Sequence, residues 1–296
     1  MPAPRTLRIL DDRKRELIFV RPPRRIVSLV PSDTLSLFAL GAGERLVGRT
    51  RYCTEPAAAL TAAEVGGTKD VDVAKVLALE PDLVLCNQEE NSRKQVHELM
   101  RARVPLLIAF PHTVSAGLAH LARLARILGV GQDAAVKALL REGYAAIREA
   151  EADARPKVPA FVPIWMEPLM TANGDTFLSD ALRLGGARNV FAERDRRYPL
   201  VADLIPELMA SDAGERDTRY PRITLVEVAQ HAPAIILLPD EPHPFSEADA
   251  RVFRAQETPA ARAGKVRHCG GRDLTWYGSQ SVAGIPRLRA LVDSLR

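Results

Sequence analysis

Aromatic residues are scarce in this chain and make up 5% of its 296 residues. Long apolar runs are also lacking, and none approaches the roughly 20 residues that a transmembrane helix needs. There are only three cysteines, Cys53, Cys86 and Cys269, and their spacing predicts no disulfide framework. The sequence therefore does not indicate a small disulfide-stapled domain or a membrane span.

The chain also lacks the patterns of nucleic-acid binding and of common enzyme classes. The net charge is +4, but Lys and Arg alternate with Asp and Glu, and no basic stripe carries interleaved aromatics. There is no P-loop, no GxSxG and no HExxH motif. The run GAGERLVG follows a predicted helix, whereas a dinucleotide fingerprint lies at a strand-to-helix turn. These absences favour a binding protein over an enzyme.

The first 25 residues carry neither the apolar segment nor the small-residue cleavage site of an export signal. As the sequence stands, we expect a cytoplasmic protein. A start upstream of Met1 would instead allow a periplasmic one. The rest of the composition, 47% hydrophobic and 26% charged, is typical of a globular chain.

The longest helical pattern spans residues 131–154. Arg and Glu keep one side of it polar, and the apolar residues recur at helical spacing on the other: Val136, Leu139, Leu140, Ile147 and Ala150. A helix of this length would run about 36 Å. Strands alternate with helices on both sides, which indicates parallel sheets. We predict an α/β fold of two Rossmann-like lobes, residues 1–130 and 156–296, joined by a single long backbone helix at 131–155.

Short apolar runs and turn residues predict the other elements. Residues 6–20 are typical of a hairpin around a polar turn. Ser32 or Asp33 is expected to cap a helix after Pro31. Residues 158–165 carry two prolines, which predicts an edge or irregular strand. Further strands are predicted at 25–30, 46–48, 82–86, 104–110, 234–238 and 266–269, and further helices at 34–40, 73–79, 92–103, 115–128, 176–184, 225–231, 247–256 and 279–295.

One local repeat occurs in the second half of the chain. Residues 194–199 read RDRRYP and residues 216–221 read RDTRYP. Two interpretations stay open. The repeat is a coincidence in an arginine-rich loop, or it marks a short tandem duplication that inserted residues 210–222.

Three runs of sequence resemble a known family. They are RIVSLVPSDTLSLFALGAGERLVGRTRYCTEP, VGGTKDVDVAKVLALEPDLVL and GDTFLSDALRLGGARNVF. Their order around a long helix resembles the class III periplasmic binding proteins, the helical-backbone metal receptors for cobalamin and iron siderophores. The chain is most similar to the cobalamin-binding branch. The resemblance implies a monomeric, non-enzymatic protein that holds a corrinoid or a related metal chelate, such as an iron siderophore, in a cleft between two lobes.

Aromatic residues gather where predicted strands end. In open α/β sheets, ligands lie beyond the carboxyl ends of the strands, and flat aromatic walls suit a large, flat ligand. This placement predicts a set of ligand-binding residues: Arg51, Tyr52, Trp165, His243, Phe245, Trp276 and Tyr277. In the family, the loops that match Arg51–Tyr52 and Trp276–Tyr277 line the ligand site.

Two alternative functions stay open beside the corrinoid receptor. The chain could be an intracellular enzyme or chaperone that handles a cofactor. As a receptor, it would need no catalytic cofactor, and its bound ligand would be cobalamin or another metal chelate. It could also be a receptor for a free divalent metal ion, although no close spacing of His, Cys and carboxylates predicts such a site. His243, and less so His112, could instead coordinate the metal of a bound chelate.

The resemblance also suggests a partner. In the cobalamin-binding relatives, one glutamate on each lobe pairs with arginines of an ABC permease. These positions correspond to Ala74 and Val226 here, so both charges are predicted to be lost, although Glu227 follows directly. An unpaired permease arginine costs affinity. We therefore expect a protein that does not feed an ABC importer.

Overall fold

Two parallel sheets organise the chain in the computed structural model, which describes residues 6–205 and 208–296. Each sheet belongs to one of two units. Unit 1 comprises the described residues up to Ala145 together with Trp276–Val282, and unit 2 comprises Ala146–Thr275 and Ala283–Arg296. The predicted domain boundaries at residues 130–131 and 155–156 stay predictions.

The strands in chain order are β1 (Leu7–Leu10), β2 (Glu16–Phe19), β3 (Ile26–Ser28), β4 (Leu46–Arg49), β5 (Ala63–Glu64), β6 (Leu83–Asn87), β7 (Leu106–Ala109), β8 (Val158–Phe161), β9 (Pro163–Met166), β10 (Leu169–Thr171), β11 (Ala187–Asn189), β12 (Ile235–Pro239) and β13 (Val266–Cys269). The helices are α1 (Pro31–Ala39), α2 (Val73–Ala78), α3 (Arg93–Arg101), α4 (Val114–Leu128), α5 (Ala134–Ala152), α6 (Phe177–Leu184), α7 (Leu225–Gln230), α8 (Glu247–Arg254), α9 (Pro259–Arg262), α10 (Arg272–Thr275) and α11 (Ser279–Ser294). Short elements such as β5, β11 and α10 were not predicted, because two to four residues carry too little periodicity to be recognised.

Unit 1 is built on a five-stranded parallel sheet in the order β5-β4-β3-β6-β7. The strand order reverses between β3 and β6, because the chain first runs outward through β4 and β5 and then restarts at β6 on the other side of β3. Every residue of β3, β6 and β7 is buried, as expected for a sheet covered by helices. The predicted hairpin is confirmed as β1 paired antiparallel with β2.

Helix α1 starts earlier than the sequence predicts. Its N-cap is Val30, which makes no side-chain cap, and Pro31 occupies the first turn. Proline is preorganised for this position, since its φ is already helical and its missing N–H needs no partner. The predicted cap at Ser32 or Asp33 is therefore wrong, and Asp33 lies inside the helix, where it is fully buried.

Unit 2 is built on a four-stranded parallel sheet in the order β11-β8-β12-β13, and here the order reverses between β8 and β12. The predicted strand at 158–165 is irregular, since it breaks at Val162 into β8 and β9. Its predicted edge position is wrong, because β8 pairs with strands on both sides. Pro159 is tolerated there because its carbonyl stays in the ladder and accepts the N–H of Ala234.

Helix α5 corresponds to the predicted backbone helix, and the boundary between the two units falls inside it. Within its predicted apolar stripe, Val136 is buried near one end, and Ile147 and Ala150 are buried near the other. The predicted α/β fold with two lobes joined by a long helix is confirmed. In the described part of the chain, no helix is long and apolar enough to cross a membrane.

The repeated RDxRYP segments pack against each other in unit 2. The N–H of Arg196 donates to the carbonyl of Thr218 at 2.7 Å, and the hydroxyl of Tyr198 donates to the carbonyl of Asp217 at 2.8 Å. The guanidinium of Arg216 lies 4.1 Å from the centre of the Tyr198 ring. Both copies therefore stabilise the long loop between β11 and α7.

One buried carboxylate anchors this loop. Asp203 accepts the guanidinium of Arg194 at 2.9 Å and the N–H of Arg197 at 2.8 Å on Oδ1, and the N–H of Arg222 at 2.7 Å on Oδ2. Its side chain is fully buried. The contacts join positions 28 residues apart in the chain, so the loop is closed by one side chain.

Replacing Asp203 by Ala should lower the free energy of unfolding by about 3 kcal/mol, because it removes one of the two carboxylates that bind the Arg194 guanidinium and the side-chain acceptor of the N–H groups of Arg197 and Arg222. Urea denaturation followed by circular dichroism measures this. Asp212→Ala, an exposed carboxylate in the same loop, is the matched control and should change stability by less than about 0.5 kcal/mol. Equal effects of the two substitutions would contradict the anchoring role.

Candidate ligand-binding site

Two of the predicted ligand residues come together at the reversal point of the sheet in unit 2. Trp165 lies in β9, just after β8, and His243 lies in the loop after β12. Strands β8 and β12 are adjacent and parallel, so both of these segments leave from the same edge of the sheet. The point where strand order reverses is the place where open α/β sheets form a ligand crevice, because neighbouring connections there diverge.

Four aromatic rings extend from this crevice into the core, and we call them the aromatic stack: Trp165, His243, Phe245 and Phe253. The centroids of Trp165 and His243 are 5.3 Å apart at 61°, and those of His243 and Phe245 are 4.6 Å apart at 74°. Phe245 also contacts Phe253, which is fully buried. Tilted and edge-to-face pairs of this kind are favourable beyond the area they bury. The stack therefore connects the surface to the core.

Exposure changes steadily along the stack. Trp165 is 45% exposed and Phe245 only 6% exposed. The indole N–H of Trp165 is held by the carbonyl of Glu167 at 3.0 Å, which fixes the ring without hiding its face. A large exposed aromatic held in one orientation can accept a flat apolar ligand with little loss of side-chain entropy.

His243 has an acid neighbour. Its Nε2 lies 4.0 Å from Oδ2 of Asp249, which is an ion-pair distance and too long for a hydrogen bond. Hydrogen bonds from the N–H and hydroxyl of Ser246 lower the pKa of Asp249 below its usual value, with a smaller contribution from His243. Asp249 therefore places an ionised carboxylate beside the imidazole of His243.

In unit 1, Arg51 and Tyr52 follow β4, and both are exposed. Arg51 binds Asp70 with Nη2 3.0 Å from Oδ2, which raises the pKa of Arg51 and lowers that of Asp70. A Cβ at Gly67 would lie 2.5 Å from Nη1 of Arg51, so any other residue there would make the Arg51 side chain shift. A ligand carboxylate would have to share Arg51 with Asp70. Tyr52, more than half exposed, is the freer of the two predicted contacts.

Trp276 and Tyr277 also belong to unit 1, but they are buried, at 8% and 3% exposure. The Tyr277 hydroxyl donates to Oδ2 of Asp33 at 3.0 Å. The sequence reasoning missed this carboxylate because it treated Asp33 as a helix cap. His120, which the sequence does not single out, has its Nε2 2.9 Å from the other oxygen of Asp33. A buried Asp, His and Tyr far apart in sequence leave no local signal.

Metal binding by protein side chains alone finds no support in the described part of the chain. Residues 6–205 and 208–296 contain no group of three His, Cys, Asp or Glu side chains that converge on one point. Two surface depressions in unit 1, one beside Arg21, Arg24 and Arg45 and one beside β2, include none of the predicted ligand residues. The aromatic stack is thus the candidate site that the geometry favours.

The chain belongs to the periplasmic binding protein family, whose model matches residues 26–272. It is 28% identical over 203 residues to a vitamin B12-binding protein of Photorhabdus laumondii, covering 67% of this chain and 74% of the relative. Vitamin B12-binding proteins of Yersinia pestis are 28% identical over 179 residues, and there the match spans 64% of the relative.

Solved structures share the fold. The periplasmic vitamin B12 binding protein BtuF of Vibrio cholerae superposes with a TM-score of 0.73 at 20% identity, covering 93% of this chain and 98% of that one. The periplasmic heme-binding protein RhuT of Roseiflexus sp. RS-1 superposes with a TM-score of 0.70 at 20% identity, covering 92% and 99%. The predicted resemblance to class III periplasmic binding proteins is confirmed.

The expectation of a cytoplasmic protein is wrong, because the family and the relatives are periplasmic binding proteins. The expectation depended on the missing export signal. Such a signal is removed from mature exported proteins, so its absence says nothing about where a protein works.

The two predicted docking positions lie on the surface. Ala74 on α2 is exposed, and Val226 on α7 is 67% exposed. Glu227 does not supply a free carboxylate beside Val226, because its Oε1 accepts the guanidinium of Arg194 at 2.7 Å. A one-residue shift in the alignment therefore does not restore an unengaged docking glutamate. The loss of both docking charges stays a prediction.

Replacing Phe245 by Ala should lower the free energy of unfolding by about 3 kcal/mol, because it opens a cavity beneath His243 and Trp165. In a Trp276→Phe background, where Trp165 is the only tryptophan, iodide should then quench the fluorescence more strongly. Phe245→Leu keeps most of the side-chain volume and should lower the free energy of unfolding by less than about 1.5 kcal/mol. Unchanged quenching in the alanine variant would show that Phe245 does not support Trp165.

Proposed function

We propose that this protein is a non-enzymatic receptor that binds a corrinoid or a related metal chelate against the aromatic stack of unit 2. The observation that carries the proposal is the stack's position at the reversal point between β8 and β12, with Trp165 45% exposed. A crevice at this point is the usual ligand site of such sheets. Aromatics are scarce in the chain, so their concentration at one crevice favours a ligand contact over general packing.

The relatives support the class of ligand. The vitamin B12-binding and heme-binding proteins that resemble this chain have ligands that are both flat metal chelates. Arg51, Tyr52, Trp276 and Tyr277 are further proposed ligand contacts. Binding proteins of this family take up a solute without converting it, and we propose the same here, with the chelate as cargo.

The expectation that the protein does not feed an ABC importer depended on the lost docking charges and on a cytoplasmic location. Because the relatives are periplasmic binding proteins, we propose instead that an ABC permease is the partner. With Ala74 and Val226 at the two positions discussed above, docking would rely on apolar and backbone contacts where relatives use charge. Uncharged docking surfaces gain less from electrostatic steering, so association should depend little on salt concentration.

Titration with cyanocobalamin and, separately, with hemin tests the function. The purified protein should retain one of the two through gel filtration, and Trp165→Ala should weaken its binding about 30-fold, because a buried aromatic anchor contributes roughly 2 kcal/mol. Leu10→Ala, which removes an exposed apolar side chain far along the chain from the stack, should bind like the wild type. If the wild type retains neither compound, the proposed function fails.

The role of His243 has a separate spectroscopic test. If its imidazole coordinates the metal of the bound chelate, mixing the wild type with hemin should shift the Soret absorption band, and His243→Ala should abolish that shift while the ring contacts still retain the ligand. His268→Ala, a half-exposed histidine paired with Glu247, is the matched control. If the His243 variant shows the same Soret shift as the wild type, coordination by this residue is excluded.

A further inference from the structure

Unit 1 has its own reversal point, between β3 and β6, but a side chain of the protein itself occupies it. Helix α1 begins three residues after β3 ends and carries Asp33 in its first turn. Asn87 is the last residue of β6, and its side chain interacts with the Tyr277 phenol. The crevice that would otherwise be open to a ligand is therefore filled by Tyr277.

Asp33, His120 and Tyr277 form a buried polar cluster, which we call the Tyr277 latch. One carboxylate oxygen of Asp33 lies 2.9 Å from Nε2 of His120, and the other accepts the Tyr277 hydroxyl at 3.0 Å. The Tyr277 and His120 rings meet edge to face, with centroids 5.5 Å apart. All three side chains are buried, and Asp33 is fully so. A buried carboxylate persists only where hydrogen bonds replace water.

The direction of the hydrogen bond from Tyr277 follows from its surroundings. Burial raises the pKa of the phenol well above its usual value, and the charge of Asp33 acts in the same direction. The hydroxyl therefore stays protonated and donates to the carboxylate. Because Asp33 lies in the first turn of α1, the helix dipole also favours its negative charge.

A second contact holds the same segment one helical turn further along α1. The hydroxyl of Ser36 accepts the N–H of Ser279 at 3.2 Å and lies 3.2 Å from the Ser279 hydroxyl. Between these contacts, Gly278 adopts φ +75°, and a Cβ there would lie 2.6 Å from the Ser36 oxygen. Residues 277–279 are thus held at both ends against α1, and only glycine fits in the middle.

We propose that Asp33 and His120 are positioning residues: through Tyr277 they fix the segment that carries Trp276, and so set the affinity for the ligand. The inference rests on the proposed function, since it assigns Trp276 to the ligand site. Trp276 follows a chain excursion of 130 residues through unit 2. The latch holds the residue that directly follows Trp276, so its loss would remove a buried hydrogen bond next to Trp276 in the chain.

The first test needs no ligand. The chain has two tryptophans, so a Trp165→Phe background leaves Trp276 as the only one. In that background, Tyr277→Phe keeps the ring but loses the hydrogen bond to Asp33. The segment that carries Trp276 should then be held less firmly, so Trp276 emission should shift to longer wavelength and iodide quenching should increase. Tyr144→Phe removes the same hydroxyl from a half-buried tyrosine on α5 and should change neither signal.

The second test measures affinity, with Trp165 intact and with whichever of cyanocobalamin and hemin the wild type retains. Tyr277→Phe and Asp33→Asn should each weaken binding about tenfold, the effect expected from one lost hydrogen bond to a charged group. Ser279→Ala should weaken it less and in the same direction. If Asp33→Asn does not fold, Tyr277→Phe and Ser279→Ala decide the outcome.

Wild-type affinity in Tyr277→Phe together with unchanged Trp276 emission would overturn the positioning role. That result would leave the proposed function intact, provided that Trp165→Ala still loses affinity. If the wild type binds neither compound, the proposed function fails, and the claim that the latch sets affinity fails with it. The ligand-free emission measurement would then decide only whether the latch holds Trp276.

Discussion

Parallel strand pairing is the constraint on which the candidate site depends. When strands run parallel, all their carboxyl ends lie at one edge of the sheet, so the loops that follow them are neighbours however far apart they are in the chain. Strands β8 and β12 are separated by about 75 residues in sequence and are adjacent in space. Trp165 and His243 meet only because of this pairing. The antiparallel hairpin at β1 and β2 creates no such edge.

The reversal points of the two sheets carry opposite chemistry. In unit 2, the crevice is lined by aromatic rings whose exposure decreases toward the core, which suits an apolar ligand. In unit 1, the equivalent crevice is filled by a phenol that is hydrogen-bonded to a buried carboxylate. Removing the phenol would leave a carboxylate oxygen of Asp33 without its hydrogen-bond donor, whereas an apolar crevice that releases its ligand loses no hydrogen bond. The contact of Tyr277 is therefore a permanent one within the protein, and the aromatic stack is suited to reversible binding.

The long loop of unit 2 shows how electrostatics limit what a surface can offer. Arg194 forms ion pairs with both Asp203 and Glu227, so all three side chains are engaged in stabilising the loop. Glu227 is therefore engaged although it lies next to an exposed helix start. The sequence alone did not assign a role to the RDxRYP repeat. In the structure both copies have a structural role, since each contacts the other.

The sequence by itself determined the elements with strong periodicity or end signals. Helix α5 follows from its apolar stripe and the hairpin from its polar turn. Helix α8 has a local start signal in Ser246 and Asp249, which form a capping box. The placement of aromatics at strand ends was also readable, because strand ends are local features. Local hydrogen bonds and side-chain periodicity are sufficient for all of these.

Only the tertiary structure decided which of these residues meet. It brought Trp165 and His243 together, placed Tyr277 on Asp33, and moved Asp33 from a presumed cap to a buried acceptor. It also placed β8 inside its sheet although its prolines suggested an edge. Each of these outcomes depends on pairing between segments tens to hundreds of residues apart. The physical reason is that burial and hydrogen-bond partners are properties of neighbours in space, which local sequence does not encode.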